Sequence, residues 1–169
     1  MPSIIHTSPF HTPAGALLLG ACAGKLCLCD WLDLPDRAAV DSRLCARLGG
    51  VMVPDTSAVI DAARAQLSEY FAGTRRVFDI PLLFWGTPFQ QQVWHRLSII
   101  PYGSVTTYAD VAAGIGRPSA VRAVANAIGA NPISIFVPCH RVIGSNGTLT
   151  GYAGGLPAKA CLLNIEKLG

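Results

Sequence analysis

The stretch TYADVAAGIGRPSAVRAVANAIG, residues Thr107 to Gly129, decides how the second half of this chain folds. Two short helical patterns, about Thr107 to Ala113 and Ser119 to Gly129, flank Gly114-Ile115-Gly116-Arg117-Pro118. Ala109, Val111, Ala112 and Ile115 share one face of the first. Val121, Val124, Ala125 and Ile128 share one face of the second, and the two faces are expected to pack together. Gly116 and Pro118 stand where a tight turn between helices needs a permissive residue and a helix breaker. This is helix-turn-helix layout. The same layout fits any pair of short core helices, so its meaning depends on the sequence around it.

Upstream, Pro101-Tyr102-Gly103 breaks the chain. Before the break, Thr87 is an N-cap and Pro88 the first helical residue of a helix running from Phe89 to about Ile99. Its stripe is Phe89, Val93, Leu97 and Ile100. Arg76 to Pro88, with Pro81, Gly86 and Pro88, reads as an extended linker, which places a domain boundary after residue 85. In the first 85 residues, 14–23 and 25–31 read as strands joined at Gly24, and 37–48 and 56–72 as helices. Asp55 or Thr56 caps the second of these helices and Gly73 ends it. Downstream, the β-branched and aromatic run Ile133 to Val137 reads as an extended arm leading into Pro138. Gly144 to Gly155 holds five glycines and reads as loop, and a last helix begins near Pro157. The expected architecture is α/β (α+β). A small N-terminal sheet-and-helix domain (1–85) precedes a mostly helical, winged-helix-like domain (86–169).

About half of the 169 residues are apolar (51%), enough to build a core for one compact unit or two small ones. No apolar run approaches the roughly 20 residues of a membrane span, and no basic segment precedes an apolar block as in a signal peptide. The six cysteines (Cys22, Cys27, Cys29, Cys45, Cys139 and Cys161) are therefore expected to be reduced thiols in the cytoplasm, not a disulfide framework. Charge is uneven. Residues 1–85 hold seven basic and eight acidic residues, whereas residues 86–169 hold six basic residues against only Asp110 and Glu166. A basic second half suits a polyanionic partner.

Within that half lies Pro138-Cys139-His140-Arg141-Val142-Ile143-Gly144. A nucleophilic cysteine acts as thiolate, yet an ordinary thiol, with a pKa of about 8.5, is mostly protonated at neutral pH. It needs a neighbouring base or positive charge, and His140 and Arg141 follow directly. In an extended strand, consecutive side chains point to opposite faces, so a direct Cys139–His140 hydrogen bond would need a bent backbone or a bridging water. Most buried cysteines are inert small apolar residues, so the dipeptide by itself does not establish chemistry.

This segment resembles the signature of the O6-alkylguanine-DNA alkyltransferases, or methylated-DNA–protein-cysteine methyltransferases. Phe89-Gln90-Gln91-Gln92-Val93-Trp94, Ile100-Pro101-Tyr102-Gly103, Thr107-Tyr108-Ala109 and Arg122-Ala123-Val124 are similar to that family in register. So are Asn131-Pro132, Gly151-Tyr152-Ala153-Gly154-Gly155, Lys159, Leu162-Leu163 and Glu166. The resemblance is close over roughly residues 86–168 and weaker before them. Ala125 stands where the family usually has glycine, and Val121 where alanine is common.

The resemblance implies direct, single-turnover DNA repair. An O6-alkylguanine, with O4-alkylthymine as a candidate second substrate, is turned out of the duplex and its alkyl group passes to Cys139. It implies Cys139, His140 and Glu166 as the catalytic chain, with a water between His140 and the sulfur. Tyr108, Arg122 and Ala123 would meet DNA in the minor groove, with Arg122 filling the space of the extruded base. Asn131 would be the hinge, and Val142, Tyr152 and Ala153 would shape the pocket. Taken singly, each has a plain structural reading: Tyr108 and Tyr152 as core aromatics, Arg122 as a surface charge, Glu166 as a partner of Lys167, and Asn131 as turn chemistry. In register with the signature they read together as a site. The expected partner is double-stranded DNA carrying O6-alkylguanine. No membrane, cofactor or metal is expected, and the chain is expected to act as a monomer. Cys22, Cys27 and Cys29, spaced C-x4-C-x-C near His6 and His11, are read as core residues and not as the zinc site of some relatives. The alternatives are a non-catalytic alkylated-DNA-binding module on the same scaffold, and a cysteine hydrolase drawing its histidine from His6, His11 or His95.

Overall fold

The computed structural model describes residues 1–168 and divides into two compact units, Met1–Trp85 and Gly86–Gly169. In the first unit, strands β1 (Ser3–Thr12), β2 (Gly15–Cys22), β3 (Lys25–Trp31) and β4 (Gly50–Pro54) form a sheet in the order β3-β2-β1-β4. The β1–β2 and β2–β3 pairs are antiparallel, and β4 joins β1 in parallel. Periodicity missed β1 because Pro9 interrupts it and demotes such a run. The sheet tolerates Pro9 because β4 stops opposite Thr7, leaving that side of Pro9 unpaired. The short edge strand β4 was missed as well.

Helices α1 (Arg37–Leu48) and α2 (Ala58–Phe71) complete this unit. The cap of α2 is Ser57, whose hydroxyl accepts from Ile60 N at 3.3 Å, and not Asp55 or Thr56. Asp55 instead accepts from Thr56 N. The buried stripe Ile60, Ala63, Leu67 and Tyr70 packs on the sheet. Residues Leu26 to Trp31 are buried without interruption, the pattern of a strand covered on both faces. Cys22 and Cys27 belong to a core with Ile5, Leu28 and Leu44, and burial pushes the Cys27 thiol up to about 12. Among the described residues, no group of three or more His, Cys, Asp or Glu side chains could hold a metal ion, and no helix is long and apolar enough to cross a membrane. The segment before Gly86 is anchored to this unit: Leu83 N and Pro81 O pair with Leu26, and Trp85 Nε1 donates to Cys27 O at 2.8 Å.

The second unit holds α3 (Pro88–Leu97), β5 (Thr106–Thr107), α4 (Tyr108–Gly114), α5 (Val121–Gly129), β6 (Val142–Ile143) and α6 (Leu156–Leu168). Thr87 and Gln90 form a reciprocal capping box with Pro88 at the first helical position, which sets the start of α3. Trp94 buries its ring and donates from Nε1 to Ala127 O at 2.8 Å, fastening α3 to α5. Gly86 permits this, since a Cβ there would lie 2.3 Å from the Trp94 ring. The turn between α4 and α5 places Gly116 at φ 74°, which only glycine adopts without cost. Val111, Ala112, Val124, Ala127 and Ile128 are buried between the helices, whereas Ala109 faces solvent. Residues 133–137 are not an extended arm. They are fully buried and fold back on themselves, with Val137 N donating to Ile133 O. The Cys139–Arg141 segment is a 3-10 turn, so the strand geometry assumed for Cys139 and His140 does not apply.

Asp30 is 3% exposed at the end of β3. Arg37 reaches it at 3.1 Å and Trp31 N donates to it, but burial outweighs both and pushes its carboxyl up to about 6. The folded state therefore holds a proton that the unfolded chain releases, and stability falls as pH rises from about 4 to about 6. Asp30→Asn should remove this fall. Across that window wild type should lose roughly 2–3 kcal/mol relative to the variant, at about 1.36 kcal/mol per pKa unit. Thermal unfolding at several pH values measures it, and parallel curves for the two proteins contradict it.

Candidate active site

The 3-10 turn at Cys139–Arg141 packs against α6 within the second unit. Glu166 on α6 is 4% exposed and gathers four donors. His140 Nε2 lies 2.6 Å from Oε2, Arg141 Nε 2.8 Å from Oε1, Arg141 Nη2 3.1 Å from Oε2, and Gly103 N 3.3 Å from Oε1. A carboxylate only accepts, so His140 carries its proton on Nε2. Its Nδ1 is thereby an acceptor, buried and without a hydrogen-bond partner among the described residues. Burial, with a smaller contribution from the charges of Arg141 and Lys159, lowers the pKa of His140. The hydrogen bond and charge of Glu166 pull the other way and do not prevail. His140 is thus neutral at pH 7, with a lone pair to offer. Arg141 answers the Glu166 charge, donates to Ile100 O at 2.6 Å and stacks over Tyr102.

Cys139, 6% exposed, faces a cavity of about 440 Å³. Asn131 Nδ2 donates to Cys139 Sγ at 3.1 Å and to Val137 O at 2.9 Å, while Asn131 Oδ1 accepts from Ile133 N at 3.0 Å. Asn131 thereby holds the sulfur and the backbone leading to it together. Asn126 and Gly129 of α5 line one wall of the cavity, Tyr108 of α4 another, and Thr150 to Ala153 of the glycine-rich loop a third. Val142 does not line it. Its backbone pairs with Thr106 in the β5–β6 ladder and its side chain is buried. Arg122 and Ala123 stand exposed on α5, away from the cavity lining. Cys139, Asn131, Tyr108, Tyr152 and Ala153 therefore share the cavity, His140 and Glu166 pair with each other outside its lining, and Arg122, Ala123 and Val142 are not part of it. His95 lies exposed on α3, and His6 and His11 belong to the first unit.

Two groups here escaped the sequence reading of the site. Arg141 was noted only as the neighbour of His140, yet it is the main counter-charge of Glu166. Lys159 is fully buried, and its Nζ donates at 2.7 Å to Thr150 O, which also accepts from the Tyr108 hydroxyl at 3.3 Å. Burial lowers the Lys159 pKa, and the charge of Cys139 opposes that. The signal for Lys159 was its place on one stripe with Leu162 and Glu166, a lysine on a buried helix face.

Removing Glu166 leaves the Arg141 guanidinium buried without its counter-charge. Glu166→Ala should cost about 3–5 kcal/mol in guanidinium unfolding, the scale for breaking one side of a buried pair. A loss under about 1 kcal/mol would contradict the arrangement.

The profile described as "6-O-methylguanine DNA methyltransferase, DNA binding domain" matches residues 88–168. The constitutive methylated-DNA–protein-cysteine methyltransferase of Bacillus subtilis is 59% identical over 107 residues, covering 63% of this chain and 65% of its own length, just under two thirds. That of Mycobacterium leprae is 42% identical over 164 residues, covering 97% of this chain and 93% of its own. The crystal structure of Mycobacterium tuberculosis OGT in complex with DNA superposes with a TM-score of 0.81 at 40% identity, covering 98% and 93% of the two chains. With identity sustained over nearly its whole length, with Cys139 at the cavity wall and with the next residue, His140, bonded to Glu166, the chain belongs to the methylated-DNA–protein-cysteine methyltransferase family.

Proposed function

We propose that this protein repairs DNA by taking the alkyl group of O6-alkylguanine onto Cys139 Sγ, once per molecule. The observation that carries the reading is the sulfur itself. It is held by Asn131 at the wall of a 440 Å³ cavity beside a buried, neutral His140 whose partner is Glu166. The damaged base, turned out of the duplex, enters this cavity. The thiol proton passes to His140 Nδ1 through a bridging solvent molecule, because Asn131 and not His140 holds the sulfur. The thiolate attacks the alkyl carbon, a C–S bond forms, and the carbon–O6 bond breaks with its electrons left on guanine. The leaving base takes up a proton, for which the Tyr108 hydroxyl at the cavity wall is the donor. A thioether has no ready leaving group, so the protein is spent.

Arg122 and Ala123, exposed on α5, would meet the minor groove, and Arg122 would occupy the space left in the base stack. A basic second half supports contact with phosphates. Tyr152 and Ala153 would form the cavity face against the base, and the Val142 backbone would support Cys139 from below. The same reading includes a monomer acting in the cytoplasm, without metal or cofactor.

Incubation with duplex DNA containing O6-methylguanine should add a single methyl group to the intact protein, mapping to Cys139 by peptide mass. An unchanged mass would sink the reading. Cys139→Ser should keep DNA binding and gain no methyl group. Arg122→Ala should slow transfer at least about tenfold, the loss of roughly 1.4 kcal/mol of transition-state stabilisation. Because Arg122 is exposed, its melting temperature should stay within about 1 °C of wild type.

A further inference from the structure

The chain between Asn131 and Cys139 contains two locally unfavourable features that the chemistry above does not use. Ile135 holds φ at 74°, in the left-handed region. A β-branched residue is a strong outlier there, because its Cβ crowds the following carbonyl oxygen. Phe136 N donates to Ser134 O at 2.9 Å across it, which makes Ile135 the centre of a three-residue γ-turn of the rare, strained kind. Ser134 beside it is fully buried, and its hydroxyl has no hydrogen-bond partner among the described residues. Such conformations survive only where the surroundings over-determine them, and they gather at functional sites. The surroundings here are the burial of Ile135, Phe136 and Val137, and the three hydrogen bonds of the Asn131 side chain.

The turn has a geometric result. It reverses the chain within one residue, so that Val137 O and Cys139 Sγ both return to the same Asn131 Nδ2, at 2.9 and 3.1 Å. An extended residue at 135 would carry the following chain onward by about 3.3 Å per residue, away from the Asn131 amide that precedes the turn.

We propose that Ile135 is a positioning residue for alkyl transfer: its left-handed turn, trapped by burial of its side chain, sets where the Cys139 sulfur stands in the cavity. The inference rests on the alkyl-transfer reading. It separates two contributions of one residue, the conformation that places the sulfur and the packing that enforces it.

Two truncations in the whole protein divide these contributions. Ile135→Gly gives up the packing but adopts positive φ without steric cost. Ile135→Ala gives up the same packing and resists the turn. Glycine in place of alanine ordinarily destabilises a folded chain, and at positive φ the order reverses. Ile135→Gly should therefore unfold at the higher guanidinium concentration of the two. In single-turnover transfer at saturating O6-methylguanine duplex, Ile135→Gly should react within about threefold of wild type. Ile135→Ala should react about tenfold more slowly, a size in keeping with a sub-ångström displacement of a reacting atom. The Kd values for DNA should agree within about twofold, since the α5 surface is untouched. A residue needed only for stability would change the unfolding midpoint and leave the rate of the folded protein alone. Equal transfer rates for the two variants, or an alanine variant more stable than the glycine one, overturn the inference and leave the alkyl-transfer reading standing. Absence of transfer by the unmodified protein sinks that reading instead. Should neither truncation fold, a crystal structure of the unmodified protein decides: Ile135 at negative φ overturns the inference, and at positive φ supports it.

Discussion

The Glu166 carboxylate is the interaction on which the second unit depends. It joins α6 to the Cys139–Arg141 turn and to the backbone at Gly103, three segments distant in sequence. A buried carboxylate is tolerable only when its charge and its lone pairs are answered, and here both are. Arg141 supplies the charge, and four donors occupy the oxygens. The hydrogen bond and charge of Glu166 favour a protonated His140, but burial outweighs them, with a smaller contribution from the Arg141 charge. Burial then keeps His140 neutral, with its proton directed at Glu166 and its lone pair at Nδ1. One buried cluster therefore fixes the turn and leaves His140 neutral.

Around this centre the protein adds a buried lysine and, among the described residues, no exposed base. Lys159 Nζ is bonded to Thr150 O of the glycine-rich loop. That same carbonyl receives the Tyr108 hydroxyl, so the cavity wall from α4, the loop and α6 share one acceptor. Lys159 ties the loop to α6. Rigid placement matters more than additional groups here, because displacement chemistry is steeply sensitive to the separation and alignment of the reacting atoms.

The first unit shows the opposite use of cysteine. Cys27 lies in an apolar core, where desolvation keeps its thiol protonated. Cys139 lies at a cavity with an amide donor and a lysine nearby. The same side chain is core filler in one setting and, in the proposed reading, the nucleophile in the other, and the difference is the dielectric and the partners.

What could be read in advance was local. The Thr87-Pro88 start of α3, the Gly116 turn and the amphipathic faces of α4 and α5 follow from capping, φ preference and periodicity, which act within a few residues. Cys139, His140 and Glu166 were legible through a register of fixed spacings, although the spacings say nothing of distance in space. Strands β1 and β4 were not legible, since the pairing that stabilises them is long-range and Pro9 argues against it locally. The compact turn at Ile135 was read as extended for the same reason: β-branched residues prefer that geometry, and only burial with the Asn131 hydrogen bonds overrides the preference. The bidentate hold of Arg141 on Glu166 and the inward course of Lys159 likewise depend on what surrounds them after folding. Sequence by itself determined the helices, their caps and the inventory of reactive groups, because those depend on near neighbours. Tertiary structure alone decided which groups share a cavity, which are charged and how the sulfur is held, because desolvation and non-local hydrogen bonds exist only once the chain has packed.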